Sequence, residues 1–309
     1  MKNTLIIFKD NKSYYFDRIN YPDLSIQGLF KEKYSLKSEP LRMLRNLRSG
    51  LTRFYYQDWF KNISKYERII VLDTSFKFDI KLLQNISRKA PDAEKYLYSW
   101  NIVRDESLFS IAKSEAAKAG FEYYSYDKGN CEKYGLKFNT IMYDKTLKPE
   151  KSELIYDTMF LGFLKDRKDE IIKLSNLFLS AGLNPRFVIV RHGESNEALP
   201  FEFHDNYISY YDYLKMVSSS RAIVDIAQEG QDGYSMRVME AIFLNKKLIT
   251  TNAAVRQSIF YSENNILILE PKKTDPDTIK AFFEKPFIDY DESVREYYSI
   301  EAWADRFKP

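Results

Sequence analysis

The stretch from Arg221 to Asn252, RAIVDIAQEGQDGYSMRVMEAIFLNKKLITTN, gathers the side chains with the most chemical promise. An apolar β-branched run leads into a loop holding Gly230 and Gly233, then a segment of helical spacing carrying Arg237 and Glu240, then a second apolar run. A helix starting near Ser235 leaves its first backbone N–H groups without partners at the positive end of the helix dipole. An anion, commonly a phosphate, is their natural partner. Gly233 would let a ligand approach the backbone, and Tyr234 and Ser235 would contribute amides. Arg237 would add a forked cation, and Glu240 a carboxylate for two vicinal hydroxyls such as those of a ribose. Together they suit a nucleoside diphosphate. The same residues also admit a plainer reading, in which Gly233 shapes a turn, Ser235 caps the helix, and Arg237 pairs with Glu240 on the surface.

Such residues need a scaffold that brings strand ends to helix starts. The runs Ala222–Ala227 and Lys247–Thr251 suit short strands buried on both faces of a parallel sheet, with the helix between them as the right-handed crossover. Upstream, Thr158–Leu164 reads as a strand with Gly162, and Lys168–Ala181 as an amphipathic helix stopped by Gly182. Arg186–Val190 reads as a strand ending in Arg191 and His192, Tyr210–Ser219 as a helix, and Ile266–Leu269 as the last strand. Ligands of open sheets bind outside the carboxyl ends of the strands. Arg191 and His192 therefore belong to the same edge as Gly233, where a cation would stabilise a departing nucleoside diphosphate. Otherwise Arg191 pairs with Glu194 and His192 is a loop residue. Asn252, ending its strand, is a further candidate, or else begins the next helix.

With Gly233, Glu240 and Asp232, this half resembles the nucleotide-sugar-binding domain of a GT-B glycosyltransferase, of the kind that builds lipopolysaccharide or capsule in bacteria. Gly233 matches the loop glycine facing the donor pyrophosphate, and Glu240 the ribose-binding glutamate. Asp232 falls where many retaining members carry the first acid of a Glu-x7-Glu pattern, with Asp here in place of Glu. The glycine also lies farther from Glu240 than in the commonest form. The similarity covers Asp157–Glu270. It implies a nucleotide-sugar donor (UDP-, GDP- or similar), a glycan or lipid-linked acceptor, transfer without a metal, and no cofactor. It also implies an α/β fold of two Rossmann-like doubly wound domains: an acceptor-side domain over 1–150, a donor domain over 151–290, and a C-terminal helix over 291–309 crossing back to the first. The tail Ser293–Phe307 has the helical spacing for that last role. Reaction would take place in the cleft between the domains.

The first half alternates strands and helices as well. Leu5–Phe8, Arg68–Leu72, Lys95–Trp100 and Phe121–Tyr126 read as strands, and Glu106–Ala119 as a helix stopped by Gly120. An inverting transfer needs a general base for the acceptor hydroxyl. Asp73 closes one of these strands and Asp127 another, which makes them the candidate catalytic carboxylates. An aspartate at a strand end is also an ordinary cap or turn former.

Composition sets the outer limits. The 309 residues suffice for two domains, and 47 basic against 44 acidic side chains leave a charge of +3, too small to demand nucleic acid. The single cysteine, Cys131, fits a reducing compartment, and no apolar run is long enough for a signal peptide or a bilayer span. The expected location is the cytoplasm, with one basic amphipathic segment, Pro40–Phe60, suited to peripheral contact with the inner membrane face. There Arg42, Arg45, Arg48 and Arg53 interleave with Leu41, Met43, Leu44, Leu47, Leu51 and Phe54. The ordinary alternative is a helix packed on its own domain. Phosphate-loop, dinucleotide, zinc-helix and nucleophile-elbow motifs are absent, and His192 and His204 are the only histidines. A noncatalytic nucleotide- or glycan-binding protein of the same fold is the alternative to an enzyme.

Overall fold

The segments TLIIF and RIIVL have no polar face to turn to water, so a sheet that buries them must be covered on both sides. The computed structural model describes residues 2–9, 15–16, 19, 21–31, 39–47, 50–164, 167–191, 201–270 and 274–308. They form two compact units, Met1–Ile141 with Ile300–Pro309, and Met142–Ser299. The units divide at 141/142 and 299/300, where the sequence leads one to expect 150/151 and 290/291.

The first unit runs β1 (Thr4–Phe8), β2 (Leu24–Gly28), α1 (Glu39–Asn46), β3 (Arg68–Leu72), α2 (Asp73–Phe78) and α3 (Leu82–Lys89). It continues through β4 (Glu94–Ser99), α4 (Glu106–Lys118), β5 (Glu122–Ser125), α5 (Lys128–Tyr134) and β6 (Lys137–Phe138). All pairings are parallel, in the order β2-β1-β3-β4-β5-β6. The order reverses between β1 and β3, and register sets Ile6 beside both Ile26 and Ile70. Helix α4 starts where Asp105 accepts the amides of Ser107 and Leu108, each at 3.0 Å. It ends where Gly120 takes a left-handed φ of 67°.

The second unit runs β7 (Tyr156–Gly162), α6 (Lys168–Ser180), β8 (Pro185–Val190), β9 (Glu202–His204), α7 (Tyr210–Ser218) and β10 (Ser220–Asp225). Then follow α8 (Met236–Phe243), β11 (Lys247–Thr250), β12 (Ile266–Ile268), α9 (Pro276–Glu284) and α10 (Glu292–Tyr298). Its parallel sheet has the order β12-β11-β10-β7-β8-β9, with the reversal between β7 and β10. Counted from β7, this is the dinucleotide-binding order 3-2-1-4-5-6. Phe160, Phe178, Phe187, Val224, Ile249 and Phe282 fill one face.

The tail does not continue as a single helix. Ser299 stops α10 in an extended conformation (φ −62°, ψ 150°), and the last helix, α11 (Ile300–Asp305), belongs to the first unit. There Trp303 and Phe307 are fully buried, and Phe307 packs against the rings of Tyr96, Tyr98 and Tyr124. Asn139 donates to the Trp303 carbonyl at 3.0 Å. The chain is thus α/β with two Rossmann-like doubly wound domains and a C-terminal helix that returns to the first. Among the described residues no helix is long and apolar enough to cross a membrane.

Candidate functional site

At the reversal point of the second sheet, β7 ends in Gly162 and β10 in Asp225, with Arg191 beyond β8 and Asn252 beyond β11. Helix α8 begins close to Asp225. Ser235 is its N-cap, in extended conformation, yet its hydroxyl donates to Asp225 Oδ1 at 2.7 Å and makes no capping bond to the helix. The cap side chain therefore does not satisfy the amides that an anion would meet.

Asp225 is 1% exposed and accepts a second hydroxyl, from Thr250, on Oδ2 at 2.9 Å. Its Oδ1 also faces Arg237 Nη1 at 3.6 Å. Arg237 donates from Nη2 to the Leu161 carbonyl at 2.8 Å and lies 5.2 Å over the Phe160 ring. The guanidinium is thus a fixed, partly open cation, balanced by a buried carboxylate. Gly162 makes room for it: a Cβ there would stand 3.1 Å from Arg237 Nη2 and 3.0 Å from Phe160 Cζ.

The loop before α8 is held by the chain itself. Gly230, at φ 72°, makes the turn, while Gly233 is buried and its carbonyl accepts from Gln231 at 2.9 Å and Asn252 at 3.3 Å. Asn252 also accepts the Ala254 amide at 3.0 Å, opening a 3-10 turn over Ala253–Gln257. Asp232 is exposed. Tyr234 is half-buried against Phe260 at 5.3 Å and Tyr298 at 6.5 Å, and burial raises its phenol.

Glu240 departs furthest from expectation. It is 1% exposed, with Oε1 accepting from Tyr210 at 2.9 Å and Oε2 from Tyr213 at 2.5 Å. Burial pushes its carboxyl up to about 7, against the opposing pull of both tyrosine hydroxyls and Arg237. A ribose would reach it only by displacing a tyrosine hydroxyl. The expected Asp232–Glu240 pair is not gathered on one surface, because one side chain is exposed and the other sealed.

Arg191 is anchored on β9 and the residue that follows it. Its amide donates to the His204 carbonyl at 2.8 Å, and its guanidinium lies 4.0 Å over Phe203 with Asp205 at 3.7 Å. Glu194, Arg48 and the candidate His192 lie outside the described residues.

In the first unit Asp73 follows β3, beside the reversal point. It is 4% exposed; Oδ2 accepts from Ser99 at 3.1 Å and faces Lys77 at 3.7 Å. Oδ1 is buried with no hydrogen-bond partner. Burial raises the carboxyl, and Lys77 and Ser99 pull it back. Asp127 is buried too, but serves as the cap of α5, accepting the Asn130 amide at 2.8 Å. Among the described residues no three His, Cys, Asp or Glu gather as a metal ion would require.

Sequence reasoning missed Asp225, Thr250, Tyr210 and Tyr213. Asp225 carried the same signal that singled out Asp73, an acid closing an apolar strand. The tyrosines stand three apart on α7, a spacing that puts both on one helix face.

No family model matches the chain. It is 25% identical over 175 residues to the tRNA 5-methylaminomethyl-2-thiouridine biosynthesis bifunctional protein MnmC of Campylobacter jejuni, a match spanning 57% of this chain and 26% of that protein. Among solved structures, an alpha-glucosyltransferase in complex with UDP and a 13-mer mismatched DNA superposes with a TM-score of 0.52 at 12% identity, covering 97% of this chain and 83% of the other. AviGT4, a glycosyltransferase involved in avilamycin A biosynthesis, gives 0.51 at 11% identity, over 99% and 96%. These likenesses concern backbone and topology, and through them the chain is seen to have the GT-B fold of glycosyltransferases.

Proposed function

We propose that the protein is a glycosyltransferase that moves a sugar from a nucleotide-sugar donor to a glycan or lipid-linked acceptor. We place it in the cytoplasm, in bacterial cell-surface polysaccharide synthesis, working without a metal. The observation that carries the reading is Arg237 fixed beside the uncapped start of α8, at the reversal point of a sheet with the dinucleotide-binding strand order. In this reading the donor pyrophosphate sits on the first amides of α8, from Tyr234 and Ser235 onward, with Arg237 as a preorganised cation and Arg191 and His192 on its flank. Gly233 and Asn252 hold the loop in shape, and Asp232 lies at its exposed rim. The solved neighbours bound to UDP or UDP-glucose support a uridine carrier. The near balance of 47 basic and 44 acidic residues supports an acceptor other than nucleic acid.

Asp73 is the proposed base in the acceptor-side unit, with Asp127 as a supporting cap. The carboxylate takes the proton of the acceptor hydroxyl as that oxygen bonds to the anomeric carbon. The bond to the nucleoside diphosphate breaks in the same event, and its electrons leave with the phosphate, where Arg237 and the α8 amides meet the growing charge.

The sealing of Glu240 by Tyr210 and Tyr213 favours a second reading, a protein of this fold that binds nucleotide or glycan and transfers nothing. Titration of UDP and GDP, followed by assay of donor cleavage, separates the two. The enzyme reading expects micromolar to millimolar binding, at least about tenfold weaker in Arg237→Ala, together with turnover. Binding without cleavage of any donor supports the second reading, and no nucleotide binding ends the enzyme reading and leaves the second only as a glycan binder.

A further inference from the structure

The basic segment of the first unit leaves several large apolar side chains at the surface. Leu41 of α1 is buried, but Met43 is 63% exposed and Leu47 62%, and the following 3-10 turn Leu51–Tyr55 exposes Leu51 at 41% and Phe54 at 65%. Inward, Tyr55 packs on the core, and the buried hydroxyls of Thr52 and of Tyr56 just beyond the turn donate to buried Asp79. Gly50, at φ 73°, reverses the chain between helix and turn, and the two pack on each other. Single exposed apolar side chains are ordinary on a soluble protein, whereas large ones collected on adjoining elements mark an interaction surface.

We propose that α1 and this turn form a docking surface for an anionic lipid bilayer. Charge complementarity selects that occupant over another protein. Arg42, Arg45 and Arg53 alternate with the exposed apolar residues, and no acid stands between Arg42 and Arg53 in the sequence. The Arg53 guanidinium lies 5.1 Å over the Phe54 ring, so cation and apolar ring share one position. The flanking acids in the described sequence are Glu39, 3.7 Å from Arg42 at the start of the helix, and Asp58, which pairs with Lys61 at 3.1 Å. Arginine stems lie along an apolar surface while their heads reach lipid phosphates, as Met43, Leu47 and Phe54 enter the acyl boundary. Because Asp79 holds the turn from within, the apolar side chains are presented without unfolding. The surface stands independently of the donor site.

Sedimentation of the full chain with phosphatidylglycerol/phosphatidylcholine vesicles, against pure phosphatidylcholine, tests the proposal. Binding to the anionic vesicles is expected and should weaken with salt, as the screening length falls from about 10 Å at 0.1 M to about 3 Å at 1 M. Arg42→Ser and Arg45→Ser should each weaken low-salt binding about fivefold. The pair Met43→Ser with Phe54→Ser should weaken it at least about tenfold at any salt. Arg42, Met43 and Phe54 are exposed, so thermal unfolding of their variants by circular dichroism should be unchanged, and UDP titration alongside keeps this result separate from the enzyme reading. Absence of binding to anionic vesicles overturns the proposal, as does equal binding to phosphatidylcholine or undiminished binding by the variants. A dimer that Phe54→Ser dissolves would instead assign the face to a second copy of the chain.

Discussion

Asp73 and Asp225 occupy matching places in the two units. Asp225 is the last residue of β10, beside β7, and Asp73 the first after β3, beside β1, each on the strand across the reversal point from the first of its sheet. Asp225 has both oxygens engaged, by Ser235 and Thr250, and an arginine alongside. Asp73 has one oxygen on Ser99 and the other buried without a partner. A buried acceptor left unmade costs stability, whereas a satisfied one helps to fix its surroundings. Position in the topology therefore does not decide what a strand-end carboxylate does; the partners supplied by other strands do. Asp225 builds a site around itself, and Asp73 keeps a lone pair uncommitted.

The contrast presumes that each unit is held by its own core, and the largest expected effect tests that. Trp303→Ala should cost about 3–5 kcal/mol of first-unit stability in calorimetric unfolding, with UDP titration of the second unit unchanged. A matching loss of nucleotide binding would break the comparison.

Glu240 gives the second unit a pH dependence of its own. Its folded value of about 7 lies above its ordinary 4.5, so the native state holds a proton that the unfolded chain releases. Stability should fall by about 3 kcal/mol as pH rises through that window and level off above it. In Glu240→Gln the contribution should vanish, which melting curves at pH 5 and pH 8 would reveal. A native protein no less stable at the higher pH would mean that the tyrosine hydroxyls outweigh burial.

Asp73→Asn should lower transfer about 100-fold while leaving the donor dissociation constant unchanged. A change in donor affinity of the same size would place Asp73 on the nucleotide instead.

The smallest effect concerns Gly162→Ala. The added methyl must push Arg237 or Phe160 by a few tenths of an ångström, so UDP binding should weaken only several-fold. Unaltered titrations would show that Arg237 does not need its present position.

Much of the fold was legible because parallel strands buried on both faces are continuous apolar runs, and β3, β8, β10 and β11 are all of that kind. Gly120 and Gly182 marked helix ends through their positive φ. β2 and β9 escaped because LSIQG and EFH carry polar residues at an edge of each sheet, where one side is unpaired. The tail read as one helix because Tyr298 and Ala302 keep helical spacing across Ser299, and nothing local announces the break. At the site, Arg237 and the start of α8 followed from local pattern. The sealing of Glu240 did not, since its partners lie 27 and 30 residues away on α7. Ser235 likewise has the sequence of a cap, and its turn toward Asp225 depends on a strand ten residues before it.

The return of the final helix has a consequence for how the molecule is made. Tyr96, Tyr98 and Tyr124 leave the ribosome early, but the rings that cover them, Trp303 and Phe307, come only after the whole second unit has been synthesised. A first unit that folded before then would show those rings to water, uncovered by the final helix.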